Sequence, residues 1–168
     1  GRIFVQLWHM GSTVHPDFID GELPVSSSAV KQQGALTTPK GRDREFVVPQ
    51  PLSKMQIADT VQMFAKAARR SIDAGLDGIE IHGANGFLVD QFTRDGINQR
   101  EDEYGGSIDN RLRFMMEVVD AVCNEIGSGK VGIRIFINEN RLIYIVFSPC
   151  SSIGYAWDDH DKTTPKGL

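Results

Sequence analysis

The sequence predicts an α/β protein made of about three parallel βα units, part of a (β/α)8 TIM barrel that is incomplete at both ends. Three β-prone segments, Ile3 to Trp8, Gly78 to His82 and Val131 to Phe136, alternate with two segments of helical periodicity. That order gives a parallel sheet with right-handed crossovers. Side-chain parity separates a barrel from an open doubly wound sheet. Ile3, Val5, Leu7, Ile79, Ile81, Val131, Ile133 and Ile135 suit a face covered by helices, whereas Gln6, Trp8, Glu80, His82 and Arg134 fall on the opposite parity. A doubly wound sheet is apolar on both faces; a barrel interior whose upper layer meets a polar ligand is not. A closed barrel takes roughly 250 residues, and this chain has 168.

The elements follow in order. After the first strand, His9 to Leu52 is rich in Gly, Pro and Ser, and connections this long are usually functional covers or inserts. Ser53 and Gln56 then form a capping-box pair, with Leu52 and Ile57 placed as a hydrophobic staple. Ile57, Val61, Phe64, Ala68 and Ile72 recur at helical spacing and Gly75 supplies the stop. The strand Gly78 to His82 leads into a second loop, His82 to Gly106. A second helix follows, with Ile108, Leu112, Met115, Val119, Val122 and Ile126 on one face and Gly127 at its end.

Composition narrows the function. Hydrophobic content of 40% and charged content of 24% fit an ordinary globular domain. The formal net charge of −4 gives no broad basic field, which argues against nucleic acid or an anionic membrane as partner. The longest apolar run, Leu142 to Phe147, is too short to span a bilayer. Gly1-Arg2 precedes a strand rather than a signal segment, so a cytoplasmic protein is expected. Cys123 and Cys150 lack metal or redox spacing and read as reduced thiols. His9 and His15 have no carboxylate partner at telling spacing, so no metal is expected. No Gly-x-Gly-x-x-Gly follows a strand, and no phosphate-loop Lys is present.

The chemistry concentrates at the end of the second strand. His82 closes that strand, where barrel enzymes place catalytic groups. Asn85 follows in a loop loosened by Gly83 and Gly86. An imidazole N–H beside an amide N–H makes a two-donor site for a developing oxyanion; a structural pair is the other reading of the same residues.

The run His82-Gly83-Ala84-Asn85-Gly86-Phe87-Leu88-Val89-Asp90-Gln91-Phe92 resembles the central signature of the Old Yellow Enzyme family. So does the pattern Asn98-x-Arg100-x-Asp102-x-Tyr104-Gly105-Gly106-Ser107-x-x-Asn110-Arg111-x-Arg113-Phe114. Upstream, Val5 to Gly11 with His15-Pro16-Asp17 matches as well, and downstream Val131-Gly132-Ile133-Arg134 matches the next strand. The resemblance implies an FMN-dependent NAD(P)H oxidoreductase of ene-reductase type. FMN, reduced by NADPH or NADH, passes hydride to the activated C=C bond of an α,β-unsaturated carbonyl or nitro compound. Carried over by position, Gln6 and Arg134 would hydrogen-bond the flavin's pyrimidine edge. His82 and Asn85 would bind the substrate's carbonyl or nitro oxygen. Trp8 would flank the pocket, with core packing as its alternative role; Arg134 would also pair with Glu80. Asn98, Arg100, Asp102 and Tyr104 read as organisers of their loop, and Ser107 as a helix cap.

Two departures stand out against the family. Phe87 occupies the place of a Tyr that donates a proton to the α-carbon, and Ser12 that of a common basic residue. From residue 137 onward the sequence loses the resemblance, so residues 1–136 are expected to form the partial FMN-binding barrel domain and 137–168 a divergent tail. The resemblance places the FMN phosphate on later strands, for which the chain shows no counterpart. Pyrimidine-edge contacts alone are not expected to hold the cofactor tightly, so family membership and activity of this chain are separate expectations, and an inactive chain is compatible with the first. The rival reading is a non-catalytic barrel remnant that self-associates through open strand edges. A metal-dependent barrel hydrolase is a distant third.

Overall fold

The computed structural model describes residues 1–138 and 141–146. The polar tail after Val146, with Cys150, lies outside the described residues. Strand β1 (Phe4–Leu7) opens the fold. The long connection after it carries a 3-10 turn (Pro16–Phe18) and strand β2 (Val25–Ser26), then β3 (Ala35–Thr38), β4 (Gly41–Glu45) and β5 (Gln50–Pro51). Helix α1 (Lys54–Asp73) leads to β6 (Gly78–Gly83), the short helix α2 (Leu88–Thr93), helix α3 (Ile108–Ile126), β7 (Val131–Asn138) and β8 (Arg141–Val146).

The main sheet runs β1-β6-β7-β8. The first three strands are parallel, as the βα order requires, with Gln6 opposite Glu80 and His82 opposite Arg134. Both long helices start and stop where local chemistry directs. Ser53 accepts from the Gln56 backbone N–H while Gln56 reaches back to the Ser53 N–H, completing the capping box on α1. At its other end the Gly75 N–H reaches the Ile72 carbonyl and the Leu76 N–H the Ser71 carbonyl. That paired closure needs a left-handed residue, which Gly75 supplies with φ +90°. Ser107 caps α3 through the Asn110 N–H.

The apolar parity of the sheet meets α1 and α3, which also pack on each other. Ile79, Ile81, Val131 and Ile133 join Ile57, Phe64, Phe114, Val118 and Val122 in one core, with Val5, Leu7 and Ile135 packed against it. Two expected core residues stay out. Ile3 is 65% exposed because it precedes β1 and has no strand on its outer side; Ile108, at the first turn of α3, is 53% exposed.

One feature differs from the sequence expectation and two go beyond it. The 82–106 segment is not loop throughout, since α2 forms within it; six residues are too few to display periodicity, and burial of Leu88, Val89 and Phe92 stabilises it. The long connection is organised: β2 and β5 pair in parallel and β3 with β4 forms a hairpin. Finally, β8, beyond the point where the sequence departs from the family, turns back antiparallel on β7. The described residues thus form an open α/β sheet carrying three parallel strands of a barrel, without closure.

Phe114 is fully buried between Phe92, at a ring distance of 4.4 Å, and the sheet. Replacing it by Ala removes that volume and leaves a cavity. Phe114→Ala is expected to destabilise the fold by about 3–5 kcal/mol, read as a lowered midpoint in urea denaturation.

Candidate active site

The second parity of the sheet carries polar side chains. Gln6, Glu80 and Arg134 sit on three neighbouring strands. The Gln6 amide Nε2 donates to Glu80 Oε1, and the Arg134 Nε lies 3.2 Å from the same oxygen. Glu80 therefore orients both neighbours. With its N–H turned to Glu80, Gln6 keeps its amide oxygen as an acceptor, and Arg134 carries N–H donors beside it. Acceptor next to donors matches the C=O and N–H alternation of a flavin's pyrimidine edge, so the residues present fit that part of FMN.

One layer higher, His82 is the penultimate residue of β6, with Gly83 still paired to Ile135. Its ring is buried, 3% exposed. The Ala84 backbone N–H donates to Nδ1 at 3.3 Å, which leaves the proton of the neutral ring on Nε2. Burial, and secondarily the Arg134 charge, push the His82 pKa below its usual value, so the ring is neutral near pH 7. Asn85 Nδ2 stands 3.3 Å from that Nε2. Two N–H donors thus stand side by side, an arrangement suited to a developing negative oxygen.

The turn that carries Asn85 is built by its own sequence. Asn85 and Gly86 both have positive φ, +60° and +75°, and the Phe87 N–H returns to the Ala84 carbonyl at 3.3 Å. That is a type I′ turn, whose favoured pair is Asn-Gly. Trp8 and Phe87 wall the donors: Trp8 stacks over His82 at 6.3 Å, and Phe87 sets its edge against both rings at 4.7 and 4.9 Å. Trp8 is 52% exposed, which places it on the open face and not in the core.

All six site residues read from the sequence (Gln6, Trp8, His82, Asn85, Phe87 and Arg134) therefore lie on one face. His9 and His15 do not join them. The Nδ1 of His9 accepts from the Gly11 N–H and that of His15 from the Asp17 N–H. Among the described residues no three His, Cys, Asp or Glu side chains gather as a metal site, and no helix is long and apolar enough to cross a membrane. Arg100 organises its loop as expected: it grips Asp102 through two nitrogens, holding that carboxyl below its usual pKa, and binds the Ser27 and Leu52 carbonyls. Asn98 joins the Phe92 and Tyr104 carbonyls, each at 2.7 Å.

Sequence reasoning missed the support beneath the donors. Gln91 and Asp90 on α2 were read only as part of a signature; both are buried. The visible signal was a Gln and an Asp set among apolar residues in Leu88-Val89-Asp90-Gln91-Phe92.

Comparison with known proteins agrees with this layout. The model of the NADH:flavin oxidoreductase / NADH oxidase family matches residues 1–142. The chain belongs to that family. It is 46% identical over 135 residues to a putative 12-oxophytodienoate reductase-like protein 2A of Arabidopsis thaliana, covering 80% of this chain and 49% of that one. A flavin oxidoreductase of Emericella nidulans is 42% identical over 135 residues, 80% of this chain and 34% of the relative. Among solved structures, the old yellow enzyme homologue from Zymomonas mobilis superposes with a TM-score of 0.76 at 40% identity, over 80% of this chain and 38% of that one. The chain thus spans about half the length of the first of these relatives and about a third of the second. FMN and NAD(P)H are the cofactors the family implies.

The lowered His82 pKa has a sign that can be checked. The unfolded ring binds a proton near the usual 6.5, whereas the folded ring binds one only at lower pH. Between those values the unfolded chain holds more protons, so stability falls as pH falls through that window and levels off below the folded pKa. His9, also lowered by burial, adds in the same sense. His82→Gln should therefore flatten the decline in urea midpoint between about pH 7 and about pH 5. An equal or steeper decline in the variant contradicts the assignment.

Proposed function

We propose that this chain carries the flavin-edge and substrate-binding face of an FMN-dependent NAD(P)H oxidoreductase of ene-reductase type, acting on α,β-unsaturated carbonyl or nitro compounds. The observation that carries the reading is the convergence of six side chains from β1, β6, β7 and the 82–87 turn on one open face. FMN, when bound, supplies the hydride drawn from NAD(P)H. Gln6 offers an acceptor and Arg134 fixed positive charge to the pyrimidine edge, both oriented by Glu80. His82 and Asn85 donate to the carbonyl or nitro oxygen of the substrate, and their hydrogen bonds strengthen as negative charge grows there. Trp8 and Phe87 confine the planar substrate and exclude water from one side. Phe87 has no proton to give, so the α-carbon takes its proton from elsewhere. We assign this function to residues 1–136; the family match continues to residue 142.

One observation favours a second reading, a non-catalytic module that pairs with another copy. Strand β1 has a neighbour on one side only, and Phe4 at its start and Trp8 just after it are about half exposed. Concentration-dependent association without bound flavin would support it.

The test is NADPH oxidation by the FMN-supplemented chain in the presence of a cyclic enone. Turnover that falls about 100- to 1000-fold in His82→Ala supports the proposal; turnover insensitive to that change overturns it. In the active protein, Phe87→Tyr should speed alkene reduction, with the nicotinamide half-reaction changing less. Alkene turnover no faster in Phe87→Tyr would contradict the role given to position 87.

A further inference from the structure

We propose that Asp90 and Gln91 are positioning residues that fix the spacing of the His82 and Asn85 donors through Gly86, an inference that rests on the reading of those donors as the substrate site. Both backbone groups of Gly86 are held by side chains of α2. Its N–H donates to Asp90 Oδ2 at 2.8 Å, and its carbonyl accepts from Gln91 Nε2 at 2.7 Å. Gly86 is the residue directly after Asn85, and the pair share a left-handed turn. Whatever fixes the Gly86 peptide groups therefore fixes where the Asn85 amide points.

The two clamps are anchored in different ways. Asp90 is buried and also accepts from Arg94 Nε at 2.9 Å, so its carboxylate has a charged partner as well as the backbone donor. Gln91 is fully buried. Its Oε1 accepts from the Ser12 N–H and the Ser26 hydroxyl, while its Nε2 also reaches the Met10 carbonyl at 3.4 Å. With its oxygen so occupied, the amide cannot rotate without stranding several partners, and its N–H stays on Gly86. The Leu88 N–H meanwhile donates to the His9 carbonyl at 3.0 Å, which ties the start of α2 to the segment following Trp8. The walls and the donors of the pocket are thus referred to the same short helix.

Neither residue is placed against substrate or cofactor, so the expected effect is misplacement of the donors and not loss of a reacting group. The experiment compares the full chain with Asp90→Asn and Gln91→Glu, both close to the original shape. Long-range 1H–15N spectra of the flavin-free protein read the His82 tautomer and the Asn85 side-chain amide directly. Both variants should shift these signals while the α1 and α3 amides stay in place, and kcat for enone reduction should fall by up to about 100-fold with KM little affected. His82 and Asn85 signals unchanged in both variants overturn the proposal. Because the spectra require no turnover, an inactive chain leaves this test intact, and shifted signals without activity would count against the ene-reductase reading alone. Should either variant fail to fold, hydrogen exchange in the unaltered chain decides. The Gly86 amide should be protected to the level of α2, and exchange at the rate of an open loop overturns the proposal.

Discussion

A single buried amide closes the upper face of this protein. Gln91 uses its two acceptor and two donor positions on Ser12, Ser26, Met10 and Gly86, and its backbone carbonyl takes the Ser27 hydroxyl as well. These partners belong to three separate stretches: the turn after β1, the β2 segment and the turn after β6. None of them is bound to another by the ladder of the main sheet. Leaving one buried polar group unsatisfied costs about 1–3 kcal/mol, so the amide holds the three stretches together, alongside Gln32, which reaches both the Ser12 hydroxyl and the Gly86 carbonyl. Gly11 fits the same constraint, since a Cβ there would overlap the Gln91 amide.

The sheet beneath separates two kinds of chemistry by strand parity alone. Along β6, Ile79 and Ile81 enter the core while Glu80 and His82 face the open side. The alternation puts a carboxylate between a neutral amide and a guanidinium, which balances the Arg134 charge and orients two potential ligand contacts. It also sets His82 in the layer above, where burial keeps it neutral and therefore a single-proton donor. Gln6 and Glu80 thus stand opposite each other, and His82 stands opposite Arg134, without any insertion to separate the two pairs.

Much of this was legible in the sequence because it depends on short-range rules. The capping box at Ser53, the Gly75 stop and the parity of three strands each follow from a few neighbouring residues, and all appear in the structure. The Asn85-Gly86 turn obeys the same kind of rule. What escaped was decided at long range. Helix α2 is too short to show a period and exists through burial. The β2–β5 pairing joins segments far apart in sequence, and Gln91 finds partners as much as 81 residues away. The antiparallel return of β8 is a further case: a β-prone run announces a strand but not its direction. Ile3 and Ile108 had the right parity or period for burial but lie at the ends of their elements, beyond the reach of the neighbours that would cover them.

The central claim is that the polar face of β1, β6 and β7 receives a flavin through Gln6 and Arg134. Titration of FMN into the 168-residue chain, followed by flavin fluorescence with Arg134→Ala in parallel, addresses it most directly. With the pyrimidine edge as the flavin's hold on this chain, the account predicts weak quenching that grows with FMN concentration, and an affinity at least about tenfold weaker still in the variant, as loss of a charged hydrogen bond of about 1.5–3 kcal/mol requires. Equal quenching in both proteins, or none in either, would contradict it.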